Sequence, residues 1–174
     1  MSNVQKTAQT IYTAMILGSI PISVIGILLS EPILLLINTP PEALSMANTY
    51  MRIIFLGMVG SFGYNVNAGI LQGFGDSKSS LLFLAVATVI NIVLDLSFVL
   101  IFHWDVAGVA IATIIAQACS WIFGIFYMKK KYEILNFPIF KFRFDKAIFK
   151  KIVNIGLPTG IQQTLFSIGI MSMQ

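Results

Sequence analysis

Leu81-Leu-Phe-Leu-Ala-Val-Ala-Thr-Val-Ile-Asn-Ile-Val-Leu-Asp-Leu-Ser-Phe-Val-Leu-Ile-Phe102 is a run of 22 residues whose single ionised group is the carboxylate of Asp95. A segment that long and that apolar reads as a membrane-spanning helix. An aspartate near the middle of such a helix costs ~2.5–3.5 kcal/mol on insertion scales, so its presence asks for a reason. A spacing of four residues sets the Asn91 amide and the Asp95 carboxylate on one helix face, a turn apart. Two readings compete. One is polar glue between packed helices; the other is an ion or proton site, the default reading of an intramembrane carboxylate.

The rest of the chain fits a membrane protein. Of its 174 residues, 57% are hydrophobic and only 10% are charged, whereas soluble domains carry about a quarter charged residues. Eight of the eleven basic residues fall within Lys129–Lys151. The net charge of +4 is therefore one local cluster, which suits a cytoplasmic loop beside anionic lipid and not a nucleic-acid surface. Cys119 is the one cysteine, so an intrachain disulfide and a thiolate metal site are both excluded. The single His103 sits in an expected loop. No nucleophile–base set appears, and Gly73-Phe-Gly-Asp-Ser-Lys78 lacks phosphate-loop spacing and reads as a tight turn. These absences argue against an enzyme. The apolar run after Lys6 is too long for a signal peptide, and no small-residue cleavage site follows it.

Further spans flank the central one. Ile11–Leu29 has no charge and contains Pro21, which predicts a kinked first span ending at Ser30-Glu-Pro32. Ile33–Ile37 is expected at the interface. Thr39-Pro-Pro-Glu42 matches a capping box with Pro40 at the first helical position, so a second helix is expected to start there. Its membrane part, Ile53–Gly75, carries Ser61, Tyr64, Asn65, Asn67 and Gln72. Such polar content predicts a helix that lines a cavity. Gly69 and Gly73 form a small-residue pair that permits close helix contact. After the short turn His103-Trp-Asp105, Val106–Tyr127 is expected to return antiparallel, with Thr113, Gln117 and Ser120 on one face. Phe137–Lys151 is basic and aromatic and is expected along the membrane surface. A fifth span then starts near Ile152, with Gln162 in its interior. Lys6, Lys78 and the 129–151 cluster fall on one side of this arrangement, which places the N-terminus in the cytoplasm.

Depth arithmetic groups the polar residues. At ~1.5 Å per residue, Asp95 and Thr113 each lie seven residues from the ends of the hairpin at Phe102 and Val106, and Asn91 and Gln117 each lie eleven. Asn65, twelve residues beyond Ile53, reaches a similar depth. A cluster of carboxylate, amide and hydroxyl oxygens is predicted, with no Lys or Arg in these spans to pair with the acid. Oxygen donors suit hard cations, so Na⁺ or a proton is the expected guest. Chemistry alone stops at a cation-responsive membrane bundle.

Four stretches in register go further. Gly69-Ile-Leu-Gln-Gly-Phe-Gly-Asp-Ser-Lys78, Asn91-Ile-Val-Leu-Asp95, Gly108-Val-Ala-Ile-Ala-Thr113 and Gly156-Leu-Pro-Thr-Gly160 resemble the multidrug and toxic-compound extrusion (MATE) family over nearly the whole chain. The resemblance implies an all-α integral membrane protein with about five transmembrane helices, a fragment of a twelve-helix, two-lobe transporter. It also implies residues 1–128 as family helices three to six of the N-lobe, 129–151 as a basic cytoplasmic interlobe linker, and 152–174 as the first helix of the C-lobe. The implied activity is export of cationic or amphiphilic compounds across the plasma membrane in exchange for H⁺ or Na⁺, by alternating access, with no other cofactor.

The implied cation or proton site carries over to Asp95, Asn91 and Thr113, which would also hold Na⁺ if that ion is used. The asparagine of the fourth family helix corresponds to Asn67 or Asn65, a choice the sequence leaves open. Gln117, Tyr64 and Gln162 are expected to line the cavity. The family's acidic residue on its first helix has no counterpart, so this piece is not expected to couple ion flow to export without the missing helices. Two alternatives remain: a lipid-precursor flippase of related fold, for which the membrane interior lacks basic residues, and a structural or accessory membrane subunit.

Overall fold

The computed structural model describes residues 3–133 and 144–172, and these are helical throughout apart from short turns. The helices are α1 (Asn3–Leu36), α2 (Pro41–Leu56), α3 (Met58–Gly73), α4 (Ser77–Leu96), α5 (Asp105–Lys131) and α6 (Lys146–Ser172). A π-helical turn, Ser97–Ile101, extends α4. By length and composition α1, α5, and α4 with its π turn can each cross a membrane, and α2 with α3 forms a fourth, broken span bent by 55°. The fifth expected span falls in α6, which is 27 residues long. Asn154, Pro158, Thr159, Gln162, Gln163 and Thr164 make it less apolar than the others. Residues 134–143, in the middle of the expected linker and surface segment, lie outside the described residues.

Three local expectations are corrected. The first helix does not end at Ser30 but runs unbroken through Pro21 and Pro32 to Leu36. Ser19 donates to the Ile16 carbonyl at 2.8 Å and Ser30 to that of Ile27 at 2.9 Å, side-chain bonds made within the helix and not to the Leu17 and Leu28 carbonyls that the prolines leave without a helical donor. The expected capping box does not form. Pro40 itself is the N-cap, and no side chain caps α2, because the helix starts one residue later than the Thr39 register requires. The long second helix is broken at Gly57, where an added Cβ would lie 2.2 Å from the Ile114 side chain.

That close approach begins a seam. Going up in number along both helices, Gly57 meets Ile114, Gly60 meets Ala118 and Gly63 meets the Trp121 ring. α3 and α5 therefore run parallel and nearly touching, as small residues at a helix interface allow. The expected pair Gly69 and Gly73 takes no part, since an added Cβ at either meets nothing within 4 Å. Contact was legible from the glycines, but its location was not.

α5 is the central rod, packed against α2, α3 and α4, while α1 packs against α2, α3 and α6. Tyr12, Leu71 and Phe83, each at most 1% exposed, form the buried core with Ala8, Met15 and Met128. This core lies toward the end where the basic residues gather. α4 turns Leu81, Val89, Ile92 and Val93 outward, as a lipid-facing helix does.

At the basic end a clasp joins the α3–α4 turn to the exit of α5. Asp76 caps α4 by accepting from the Ser79 backbone N–H at 3.1 Å. Its other oxygen accepts from Lys131 Nζ and Tyr132 Oη, each at 2.8 Å. The Ser79 hydroxyl lies 2.9 Å from Tyr127 Oη and 3.1 Å from Lys131 Nζ. Tyr132 also stacks on Phe74 at 5.0 Å. The Lys131 ammonium, foremost, and these hydroxyls hold the Asp76 carboxyl well below the usual carboxylate range.

Candidate functional site

Asn91 and Asp95 project from one face of α4, and Thr113 comes from α5. The Asn91 amide nitrogen donates to Thr113 Oγ1 at 3.5 Å, a long bond. Thr113 Oγ1 in turn donates to the Val109 carbonyl at 2.9 Å. That leaves the Asn91 carbonyl oxygen and Thr113 lone pairs able to accept a ligand. Asp95 is half-buried, and its Oδ1 is shielded from solvent with no hydrogen-bond partner. A buried polar atom left unpaired is uncommon and asks for an explanation.

The level at which these groups meet differs from the depth arithmetic. Phe98 faces Gly108, where an added Cβ would lie 2.9 Å from the Phe98 Cβ, and Trp104 N–H donates to the Phe98 carbonyl at 2.9 Å. Deeper in, the Ser120 hydroxyl donates to the Phe83 carbonyl at 2.8 Å. The hairpin thus closes around Phe98 rather than Phe102, because the π turn and the residues after it belong to the bend. Thr113 consequently meets Asn91, and Asp95 stands a turn nearer the loop. Gln117, expected level with Asn91, is instead bonded across the α3–α5 seam by the Ser61 hydroxyl.

The two asparagines of α3 part ways. Asn67 is fully buried; its Oδ1 accepts from the Tyr12 hydroxyl and its Nδ2 donates to the Trp121 carbonyl at 2.8 Å. Both ends of its amide are engaged, joining α1, α3 and α5. Asn65 is exposed and donates to the Ser61 carbonyl of its own helix at 2.8 Å. Neither shares a bond with Asn91, Asp95 or Thr113. Tyr64 packs against the buried core. Gln162 is exposed on α6, which touches α1 alone among the described helices. Of the expected residues, the fold brings Asn91 and Thr113 into contact, sets Asp95 on the Asn91 face one turn nearer the loop, and disperses the rest. Tyr12, the partner of Asn67, was not among the expected residues, and an isolated tyrosine in an apolar run is its only signal in the sequence.

The MatE family profile matches residues 1–97. This chain belongs to the MatE family. "Probable multidrug resistance protein YpnP" of Bacillus subtilis is 35% identical over 156 residues, covering 89% of this chain and 34% of that protein. "Multidrug export protein MepA" of Staphylococcus haemolyticus is 28% identical over 159 residues, covering 91% of this chain and 35% of its own. The chain spans about a third of the length of these curated relatives. The fold matches an outward-facing multidrug resistance MATE family transporter of the MOP superfamily with a TM-score of 0.80, at 22% identity, over 97% of this chain and 42% of that one. An inward-facing member matches with a TM-score of 0.77. The MATE family is one of membrane transporters and not of enzymes.

Proposed function

We propose that the protein is a secondary antiporter that exports organic cations and other amphiphiles in exchange for H⁺ or Na⁺, and that Asp95 handles the ion. The carrying observation is the buried, unpartnered Asp95 oxygen beside the Asn91–Thr113 contact, inside a helix apolar enough to span a membrane. The donor set fits the guest: a carboxylate, an amide carbonyl and a hydroxyl supply hard oxygens for Na⁺, and the same carboxylate can take a proton. Either guest would relieve the unpaired oxygen. The multidrug-export names of the relatives support the class of cargo.

In this reading residues 1–128 belong to one lobe, 129–151 link the lobes, and 152–174 begin the other. The N-terminus lies in the cytoplasm of a plasma-membrane protein, and the chain works with the further helices that its longer relatives possess. Ion binding at Asp95 changes the packing of α4 against α5, and the lobes rock in response.

Asp95→Asn in the complete transporter tests the assignment. The variant is near-isosteric, so export driven by an H⁺ or Na⁺ gradient in membrane vesicles is expected to fall to background while the protein inserts and melts as before. Undiminished export would assign the acid to helix packing.

A further inference from the structure

The first turns of α1 and α6 meet around a cavity of about 490 Å³ lined by Lys6, Gln9, Thr10, Phe144, Asp145 and Lys146. Its size is that of a small-molecule site. The contact is made by the Asp145 backbone N–H, 3.4 Å from Thr10 Oγ1. Asp145 then caps α6, its Oδ1 accepting from the backbone N–H groups of Ala147 at 2.9 Å and Ile148 at 3.1 Å. Gln9 is 1% exposed, yet its Oε1 has no hydrogen-bond partner. An acceptor that deep without a donor is costly.

Two kinds of demand therefore meet in one cavity. Gln9 Oε1 asks for an N–H donor, and the Asp145 carboxylate beside it favours a cationic one. Lys6 and Lys146, exposed ammonium groups that form no ion pair among the described residues, are free to receive an anionic oxygen. A simple anion would meet Asp145, and a simple cation would meet two ammonium groups. A zwitterion satisfies both. The cavity lies at the basic end of the bundle, just before the uncharged run of α1 begins at Ile11, which is headgroup level for a spanning helix.

We propose that this cavity seats the headgroup of an ethanolamine phospholipid, with phosphate toward Lys6 and Lys146 and the primary ammonium toward Gln9 and Asp145. The inference stands apart from the antiport reading, because it uses neither Asp95 nor any transport step. It predicts a choice among lipids. Choline has the same charges but no N–H to donate, and phosphatidylglycerol has no cation at all.

The test is lipid retention by the full-length protein, measured by native mass spectrometry after exposure to matched phosphatidylethanolamine, phosphatidylcholine and phosphatidylglycerol. Retention of the ethanolamine lipid is expected to exceed the other two by about tenfold, the worth of one charge-assisted hydrogen bond. Gln9→Met and Asp145→Asn should each abolish that preference, and asparagine keeps the capping oxygen for α6. Lys6→Gln with Lys146→Gln should weaken retention of the ethanolamine lipid itself. Melting temperatures in lipid-free detergent should not fall below the parent value in any of these variants, and Gln9→Met should match or exceed it, which separates binding from folding. Equal retention of the three lipids, or preference unchanged in Gln9→Met, would overturn the proposal. Equally tight binding of acyl-free glycerophosphoethanolamine would overturn the lipid assignment in favour of a soluble ester.

Discussion

α4 carries an aspartate near each end, and the two live in opposite circumstances. Asp76 at the N-cap has its oxygens filled by the Ser79 backbone, Lys131 and Tyr132. Asp95, near the far end, holds an oxygen away from solvent with no partner. A carboxylate whose valences are met inside the protein is part of the scaffold. One whose valences are left open can respond to something that comes and goes. The same contrast separates Asn67, engaged at both ends of its amide, from Asn91, whose carbonyl is available. Polarity inside the membrane is thus not by itself a reason to place a working site; an ionisable group left incompletely paired is the stronger candidate.

The contrast can be broken by substitution. The largest effect belongs to Asp95→Asn, which should remove ion-driven export while shifting stability by less than about 1 kcal/mol. Asn67→Ala should do the reverse. Losing the two bonds that Asn67 makes to the Tyr12 hydroxyl and the Trp121 carbonyl is expected to cost about 1–3 kcal/mol, read as a lower melting temperature in detergent, with residual ion dependence in whatever protein folds. Tyr12→Phe removes one of those bonds and should cost about 1 kcal/mol by the same measurement.

Asp76→Asn gives the smallest effect, because asparagine still caps α4 through Oδ1 and what is lost lies at the exposed end, the charge and the acceptor oxygen that Lys131 and Tyr132 share. Its sign with pH is fixed. A carboxyl held below its usual range contributes stability above the unfolded value of about 3.9 and loses that contribution as acid protonates the folded group. The difference in melting temperature between parent and Asp76→Asn should therefore be full at neutral pH. It should shrink only when the pH is taken below the ordinary carboxylate range. A difference that vanished already between pH 5 and 7 would show that the clasp is not what Asp76 contributes.

Much of this was written in the sequence. The uncharged runs located the spans, because length and apolarity suffice for that, and the i, i+4 spacing put Asn91 and Asp95 on one face. The meeting of Asn91 with Thr113 was missed by one turn, since helix ends taken from hydropathy ignore the π turn at Ser97–Ile101 that draws the bend inward. The break at Gly57 was invisible for a similar reason: it depends on how closely Ile114 approaches, and pairing between distant segments leaves no local mark. Pro32 was expected to end α1 from backbone chemistry alone, which the packing of a long helix against α2 and α3 overrides. Tyr12, in an apolar run, and Gln9, in the polar stretch before it, offered no pattern to read.

The most direct measurement is the infrared difference spectrum of the purified transporter in its carboxyl-stretch region, with acid or Na⁺ as the perturbation, for the parent and for Asp95→Asn. The account predicts a carboxyl band in the parent that responds to acid, to Na⁺ or to both, and is absent from the variant. Identical difference spectra for the two proteins would contradict it.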